Sequence, residues 1–361
     1  MKVVGLGGGS GTTSIVGLRN LGYDLTLIVS VVDDGGSSGV LRRANPDIIP
    51  PGDIRKPALY SSTLRETLET RLGDIRINRT DDLGKILDYY PHSMEISSKI
   101  KPYDILDIPL GIDTLRGHNL GNLILTAMML KFGNIEGIRN FLELVDCEIG
   151  ILPASEKPST FCFMSQNSQK PEIGENLLDD FQRRSEPIVN CWLFPEVDPY
   201  QRCIERIGEA DFVVISPTSI YANIVSILLI PGYQEALREK RIIWAGNIMT
   251  EWNQTAFTEY SLTGRGHLEV LRRYLGRYPD YAVVPKLKGQ TLGEVFGAYE
   301  GEGASPVLYR RRDFEEVGVG YKEVNMVRVV EIEHRGQRLR VLRHDPESLA
   351  KSLDEIIKSY T

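Results

Sequence analysis

Residues 2–21 read KVVGLGGGSGTTSIVGLRNL, and this stretch decides the fold. A β-branched run at 2–6 passes into five glycines within seven positions, and an apolar pattern with helical spacing follows at 15–21. A strand, a glycine-rich turn and a helix in this order are typical of the first unit of a parallel sheet. Glycines let the backbone approach a phosphate, and a following helix presents N–H groups to an anion. A tight structural turn is the alternative. The loop predicts a phosphorylated ligand bound by Gly8, Gly9, Ser10, Gly11 and Thr12.

The register of the glycines disfavours two common nucleotide sites. No G-x-G-x-x-G pattern fits, because Ser10 or Thr12 stands where the third glycine belongs. No Gly-Lys-Ser/Thr sequence closes a Walker A loop. Neither a standard NAD site nor a P-loop ATPase is supported.

Four further apolar runs, at 25–32, 147–152, 212–215 and 241–245, repeat the pattern of the first strand. Their nearly continuous apolar character suits strands buried on both faces of a parallel sheet. We predict an α/β, Rossmann-like fold with a mostly parallel sheet flanked by helices, a helical insertion and a small C-terminal appendage.

The rest of the chain suggests two domains. A ligand-binding domain is expected at 1–310, with a helical insertion near 57–110 and a peripheral excursion at 156–199 that contains antiparallel strands. The second domain is expected at 311–361. It comprises a hairpin, 326–332 and 337–342 around His334-Arg335-Gly336, and a terminal helix at 346–359.

The amino-acid composition disfavours several classes of protein. The 361 residues carry a net charge of -7, which argues against a nucleic-acid surface built from a basic excess. Four irregularly spaced cysteines, at 147, 162, 191 and 203, are expected to be reduced thiols. No secretory leader and no apolar run of about 20 residues is visible. We expect a cytoplasmic protein with no membrane insertion, and a homodimer.

Acidic and hydroxyl side chains follow the second strand, where residues 30–39 read SVVDDGGSSG. An acid about 20 residues after a glycine loop accepts from a ribose hydroxyl in nucleotide-binding sheets, and paired acids can hold magnesium. Asp33 is the first candidate for this role. For Asp34 and Ser37, a turn and a helix N-cap are equally good interpretations; Ser38 is a further candidate.

Residues 50–56, PPGDIRK, form a rigid loop that carries an acid and two cations. Arg55 and Lys56 are candidates to neutralise phosphates, and Asp53 is a candidate metal ligand or base. A solvated turn is the alternative.

Residues 116–122, RGHNLGN, precede a strongly apolar helix. Asparagine amides can contact a base or sugar, and a histidine can donate to phosphate. An N-cap with a buried histidine is the alternative, and it is favoured for His118 alone. Polar loops also follow the last two predicted strands, at the edge where ligands bind in open α/β sheets. The candidates from these three loops are His118, Asn119, Asn122, Ser216, Thr218, Ser219, Asn247 and Thr250.

Several catalytic classes have no support. The sequence contains no G-x-S-x-G elbow, no H-E-x-x-H and no cysteine/histidine metal spacing, so acyl transfer and zinc catalysis are disfavoured. Phosphoryl or nucleotidyl transfer and pure binding remain open.

Six motifs in order resemble the bacterial gluconeogenesis factor family, which is related to the 2-phospho-L-lactate transferases. They are 7–11 (GGGSG), 32–39 (VDDGGSSG), 50–55 (PPGDIR), 117–122 (GHNLGN), 152–155 (LPAS) and 247–250 (NIMT). The resemblance spans roughly residues 1–285. It implies a Rossmann-like core that binds UDP-N-acetylglucosamine and supports cell-wall precursor metabolism and cell shape during gluconeogenic growth. By motif, it carries a binding role onto Gly8, Gly9, Ser10, Asp33, Asp34, Asp53, Arg55, Asn119, Asn122 and Asn247.

The resemblance leaves two functions open. The first is a regulatory protein that binds a nucleotide sugar. The second is a magnesium-dependent transferase that moves phospholactate from a nucleoside diphosphate-activated donor onto the deazaflavin Fo, as in coenzyme F420 synthesis. In that case Asp33 and Asp53 are the candidate catalytic residues, and the same two carboxylates are the candidate ligands of Mg²⁺.

Overall fold

A computed structural model describes residues 1–179, 186–255, 260–287, 304–334 and 337–360, together with the single residues 293, 295 and 299. The strands are β1 Lys2–Gly7, β2 Asp24–Val29, β3 Gly150–Pro153, β4 Thr160–Ser165, β5 Glu172–Ile173, β6 Ile188–Phe194, β7 Phe212–Ile215, β8 Arg241–Ala245, β9 Met249–Glu251, β10 Tyr281–Pro285, β11 Ala304–Pro306, β12 Gly320–Val324, β13 Val327–His334 and β14 Gln337–His344.

The helices up to the fourteenth are α1 Gly9–Thr13, α2 Gly17–Asn20, α3 Gly36–Ala44, α4 Pro51–Ala58, α5 Arg65–Glu69, α6 Leu83–Leu87, α7 Ser93–Ile100, α8 Leu120–Phe132, α9 Asn134–Leu144, α10 Gln201–Glu209, α11 Ser226–Leu228, α12 Tyr233–Leu237, α13 Trp252–Thr255 and α14 Gly264–Leu275. Two further α-helices lie at Arg311–Glu315 and Pro346–Ser359. Short 3-10 helices lie at Lys101–Tyr103 and Glu175–Asp179, and a π-helical segment lies at Ile220–Val225.

Seven strands form one sheet in the order β12-β10-β8-β7-β1-β2-β3, and every neighbouring pair is parallel. All five predicted strands lie in this sheet, which also contains β10 and β12. The chain runs from β1 outward to β2 and β3, then returns to β7 on the other side of β1. The order of the strands therefore reverses between β1 and β7, and ligands bind outside the carboxyl ends of strands at such a point. The α/β, Rossmann-like prediction is confirmed.

The apolar runs explain the burial of the central strands. In β1 and β2 every residue after the first is buried, and β7 is buried throughout. In the long helix α8, ten of 13 residues are buried. The helices α5 and α6, which lie in the predicted 57–110 insertion, pack against α8. This stretch therefore covers one side of the region where α8 begins.

The predicted excursion contains a three-stranded antiparallel sheet in the order β5-β4-β6. Near the C-terminus, β13 and β14 pair as the predicted antiparallel hairpin, and Arg335 and Gly336 of its turn lie outside the described residues. Val341 and Leu342 of the hairpin pack in a small cluster with Ile248. The C-terminal helix buries Leu349 and Leu353 in the main core instead, so it supports the sheet directly.

Candidate functional site

Two loops meet at the point where the strand order reverses. Residues 8–12 follow β1 and residues 216–219 follow β7. The hydroxyl of Thr218 donates to the carbonyl oxygen of Gly8 at 3.0 Å. A Cβ on Gly11 would lie 2.5 Å from the carbonyl oxygen of Pro217, so only glycine permits this close approach. The glycine loop at residues 8–12 therefore takes its shape partly from packing against the loop at residues 216–219.

The backbone of Gly9 has a φ of 57°, which glycine adopts at no steric cost. Its N–H donates to Oδ1 of Asp53 at 2.6 Å, and its carbonyl accepts from the Thr12 hydroxyl at 2.9 Å. Ser10 is exposed. The helix that follows, α1, has only five residues. The sequence predicted free amides and a helix dipole here, whereas the Gly9 amide is occupied by a carboxylate of the protein and the dipole of so short a helix is small.

Asp53 is the most unusual ionisable group of the site. It is buried, and its Oδ2 has no hydrogen-bond partner among the described residues. Burial and, to a smaller extent, the nearby charge of Asp33 raise the pKa of Asp53 to about 7. Lys56 and the N–H of Gly9 act in the opposite direction. A cation placed beside Oδ2 would relieve this unfavourable arrangement.

Asp33 and Asp34 follow β2 and are half-buried. Oδ1 of Asp33 accepts from the N–H of Gly35 at 3.1 Å, and its Oδ2 lies 3.1 Å from the position of a Cβ on Gly52. Oδ1 of Asp34 instead accepts from the N–H of Asn176 at 2.8 Å, and burial raises the pKa of Asp34. Asp33 therefore faces the loop of Asp53, while Asp34 ties the antiparallel excursion to this edge of the sheet.

Ser37 connects α3 to the start of α8. Its Oγ lies 2.8 Å from Nδ1 of His118 and accepts from the side-chain amide of Asn122 at 2.9 Å. The N-cap of α3 is Gly35, so Ser37 is not a cap. Burial lowers the pKa of His118 to about 4, with a smaller contribution from Arg71, and the imidazole is neutral near pH 7.

Asn119 caps α8 by accepting from the N–H of Asn122 at 2.9 Å, as the alternative interpretation of this motif predicted. Nδ2 of Asn119, Oδ1 of Asn122 and Nε2 of His118 are buried with no partner among the described residues. Ser38 accepts from the N–H of Gly52 at 3.2 Å and holds α3 against the Asp53 loop. The motif thus combines a structural cap with unpaired polar atoms.

The loops after β7 and β8 are tied together. Nδ2 of Asn247 donates to the carbonyl of Thr218 at 2.8 Å. Ser216 is buried, and its hydroxyl has no partner in the described part of the chain. Ser219 caps the π-helical segment by accepting from Ala222 at 3.3 Å. Thr250 is buried in β9, which pairs with β11 outside the main sheet. Hydrogen bonds therefore connect Asn247 through Thr218 to the glycine loop and Asp53.

Arg55 and Lys56 occupy different surroundings although they are adjacent. Lys56 is half-buried, and its Nζ is 3.7 Å from the position of a Cβ on Gly9. Arg55 is buried beside Gly121 of α8, and its Nε has no partner among the described residues. Lys56 therefore faces the glycine loop and Arg55 faces the start of α8.

Sequence reasoning missed two residues that shape the site. The guanidinium of Arg42 donates to the carbonyls of Val32 at 3.0 Å, Asp33 at 3.1 Å and Ser159 at 2.7 Å. Tyr309 donates to the carbonyl of Asn247 at 2.7 Å. An arginine that binds backbone carbonyls leaves no motif, and Tyr309 comes from a part of the chain where no element was predicted.

The described residues contain no group of three or more histidines, cysteines, aspartates and glutamates placed to hold a metal ion. Asp33 and Asp53 form a pair of carboxylates only, which suits Mg²⁺ when a ligand's phosphates and water supply the other oxygens. Among the described helices, none has the length and apolarity to cross a membrane.

Comparison with known proteins confirms the resemblance seen in the motifs. The family described as 2-phospho-L-lactate transferase CofD matches residues 3–327. The chain is 28% identical over 363 residues to the gluconeogenesis factor of Bacillus subtilis. The aligned region covers 99% of this chain and 98% of that protein. The chain is also 28% identical over 327 residues to the gluconeogenesis factor of Halalkalibacterium halodurans, covering 88% and 87%.

The fold has a solved counterpart. A crystal structure described as a protein member of the UPF0052 family, from Bacillus halodurans, superposes with a TM-score of 0.74 at 26% identity over 98% of each chain. Sequence and fold agree over nearly the whole length. The protein belongs to the family described as 2-phospho-L-lactate transferase CofD.

Proposed function

We propose that this chain binds a nucleotide sugar of the UDP-N-acetylglucosamine type in the crevice between β1 and β7. The observation that carries the proposal is the buried Oδ2 of Asp53, which has no partner in the described chain and lies against the glycine loop. Buried polar atoms are normally hydrogen-bonded, so an unpaired one at a strand end marks a place for a ligand or a cation.

In this proposal the diphosphate lies at residues 8–12, with Lys56 as its nearest cation. Asp33 accepts from a ribose hydroxyl, and Ser216 and Asn247 contact the far side of the ligand. The N–H of Gly9 becomes available to a phosphate when Asp53 turns to a cation or takes up a proton. Gly8, Ser10, Gly11, Thr12 and Thr218 shape this wall of the crevice.

Magnesium fits the same place. The charge of Asp33 adds to the cost of ionising the buried Asp53, and Mg²⁺ is commonly held by one or two carboxylates together with substrate phosphates. The ion would neutralise the diphosphate and both carboxylates. Asp33 and Asp53 are therefore the residues that would hold it.

We propose a regulatory role, because the full-length relatives are named gluconeogenesis factors. The role concerns gluconeogenic growth, cell-wall precursor supply and cell shape, in the cytoplasm. The four cysteines are all free, and reduced thiols suit that compartment. We expect a homodimer. Light scattering on the purified protein tests this by measuring the molar mass in solution.

The second candidate is the transferase. The description of the family favours it, and so does the pair of carboxylates, since Asp53 with a pKa of about 7 could accept a proton from an attacking hydroxyl. In that case the activated donor occupies the diphosphate site and the deazaflavin Fo is the acceptor.

Thermal shift with and without Mg²⁺ separates the two. A regulator is stabilised by UDP-N-acetylglucosamine and leaves it chemically unchanged, because a ligand specific to the native state adds about 2.7 kcal/mol at a hundredfold excess over Kd. A transferase responds to guanosine diphosphate with Mg²⁺ and forms phosphorylated deazaflavin. Product formation with no response to the uridine sugar would replace the first candidate by the second.

A further inference from the structure

An arginine is buried against the first turn of α8. Arg55 is 4% exposed, and its Nε has no hydrogen-bond partner among the described residues. A Cβ on Gly121 would lie 2.9 Å from Cδ of Arg55, so the missing side chain at 121 makes the space for it. A buried guanidinium with an unpaired N–H is costly, which indicates that a partner is supplied from outside the chain.

Positive charge exceeds negative charge around this turn. Arg71 is exposed, and its backbone pairs with that of Asn119, the N-cap of α8. Burial, together with the positive charges of Arg71 and Arg65, lowers the pKa of Arg55 to about 10 against the opposing charge of Glu69. Glu69 is engaged with Arg65 at 3.4 Å. Arg71 itself has no ion pair among the described residues, so one carboxylate faces three guanidinium groups.

The hydrogen-bond directions leave further donors unsatisfied. Asn122 donates through Nδ2 to Ser37, so the Ser37 hydroxyl is free to donate to Nδ1 of His118. With the Ser37 hydroxyl as the donor, the imidazole carries its proton on Nε2, which is buried and has no partner in the described chain. Nδ2 of Asn119 is a second buried donor without an acceptor. With Nε of Arg55, three of the four unpaired atoms at this turn are donors; the exception is Oδ1 of Asn122.

We propose that the first turn of α8 is a second anionic subsite, where Arg55, Arg71 and His118 bind a phosphate or carboxylate group. An acceptor-rich anion satisfies the donors, cancels the excess charge and benefits from the N-terminus of a 13-residue helix. The inference rests on the proposed function only in assigning the diphosphate to residues 8–12. The group belongs either to a second small molecule or to the far end of the same ligand.

The test is the melting temperature of the full-length protein against inorganic phosphate. Arg71→Ala removes an exposed cation of the subsite, and Arg76→Ala removes an exposed cation of the same segment outside it. We expect the phosphate concentration for a half-maximal shift to rise about tenfold in Arg71→Ala, the loss expected for one charge-assisted contact, and to stay at the wild-type value in Arg76→Ala. Equal responses of the two variants overturn the proposal.

Arg55→Met supplies an independent readout. Without phosphate its melting temperature should rise above that of wild type, because a buried charge is replaced by an apolar chain of similar length, and its phosphate response should shrink. A lower melting temperature with an unchanged phosphate response would give Arg55 a structural role and contradict the proposal.

Repeating the titration at saturating UDP-N-acetylglucosamine distinguishes the sources of the anion. If phosphate still raises the melting temperature in the presence of the nucleotide sugar, the anion belongs to a second molecule. If phosphate no longer raises it, the anionic group belongs to the nucleotide sugar itself. If wild type does not respond to the nucleotide sugar while the Arg71-dependent phosphate response persists, the proposed function fails and the anionic subsite stands.

Discussion

The N–H of Gly9 donates to Oδ1 of Asp53 at 2.6 Å and joins residues that are 44 positions apart. The bond ties the glycine loop after β1 to the first turn of α4. The loop's amide is therefore paired with Oδ1 of the buried carboxylate, while Oδ2 has no partner among the described residues.

The first prediction concerns the protonation of Asp53. Its pKa in the folded protein is raised from 3.8 to about 7, so the stability that it contributes is present below pH 4 and is lost as the pH rises through 7. Asp53→Asn keeps an oxygen for the Gly9 amide and removes the charge. We expect the variant to be more stable than wild type at pH 8 and equally stable at pH 4, measured by urea denaturation without ligand or Mg²⁺.

The comparison has a built-in control, since the two proteins differ only in the titrating group. Parallel stability curves over pH 4–8 would mean that Asp53 ionises normally, and would remove the reason for placing a cation beside it.

The second prediction tests the contact between the loops after β1 and β7. Gly11→Ala places a Cβ 2.5 Å from the carbonyl oxygen of Pro217, so the loops must separate. We expect a loss of about 1–3 kcal/mol in the free energy of unfolding. Gly73→Ala is the matched control, because no atom lies within 4 Å of a Cβ there. Equal stability of the two variants would contradict the packing described for this loop.

The third prediction concerns Arg42, which holds the loop of Asp33 in place through three backbone carbonyls. Arg42→Ala leaves these carbonyls without their donor, and we expect a loss of about 2–4 kcal/mol in stability. The exposed neighbour Arg43 is the control, and Arg43→Ala should change stability by less than about 0.5 kcal/mol. A similarly small effect at both positions would show that the Asp33 loop is held by other contacts.

The sequence predicted the centre of the sheet better than its far edge. The runs of β1, β7 and β8 were located to within a residue because their apolar residues are continuous. The edge strand β12 was missed because its residues are mostly half-buried and polar, GYKEV, so no apolar run marks it. The pairing of β10 with β12 joins residues far apart in the sequence, and local sequence patterns do not predict such pairings.

For the candidate site, local motifs indicated the residues but not their partners. An N-cap was the alternative interpretation of the motif at 116–122, and Asn119 is the N-cap of α8. The bond between Gly9 and Asp53 and the three bonds of Arg42 join distant parts of the chain, and no spacing encodes them. The structure also separates the adjacent Arg55 and Lys56: Arg55 contacts the start of α8, and Lys56 faces the glycine loop.

Calorimetric titration of UDP-N-acetylglucosamine into wild type and Asp33→Ala tests the central proposal most directly. A carboxylate at a strand end contributes little packing but a charge-assisted hydrogen bond of roughly 1.5–3 kcal/mol, so the variant should bind at least about tenfold more weakly while its melting temperature without ligand stays near that of wild type. Equal affinity of the two proteins, or no heat of binding to wild type with Mg²⁺ present, would contradict the nucleotide-sugar site.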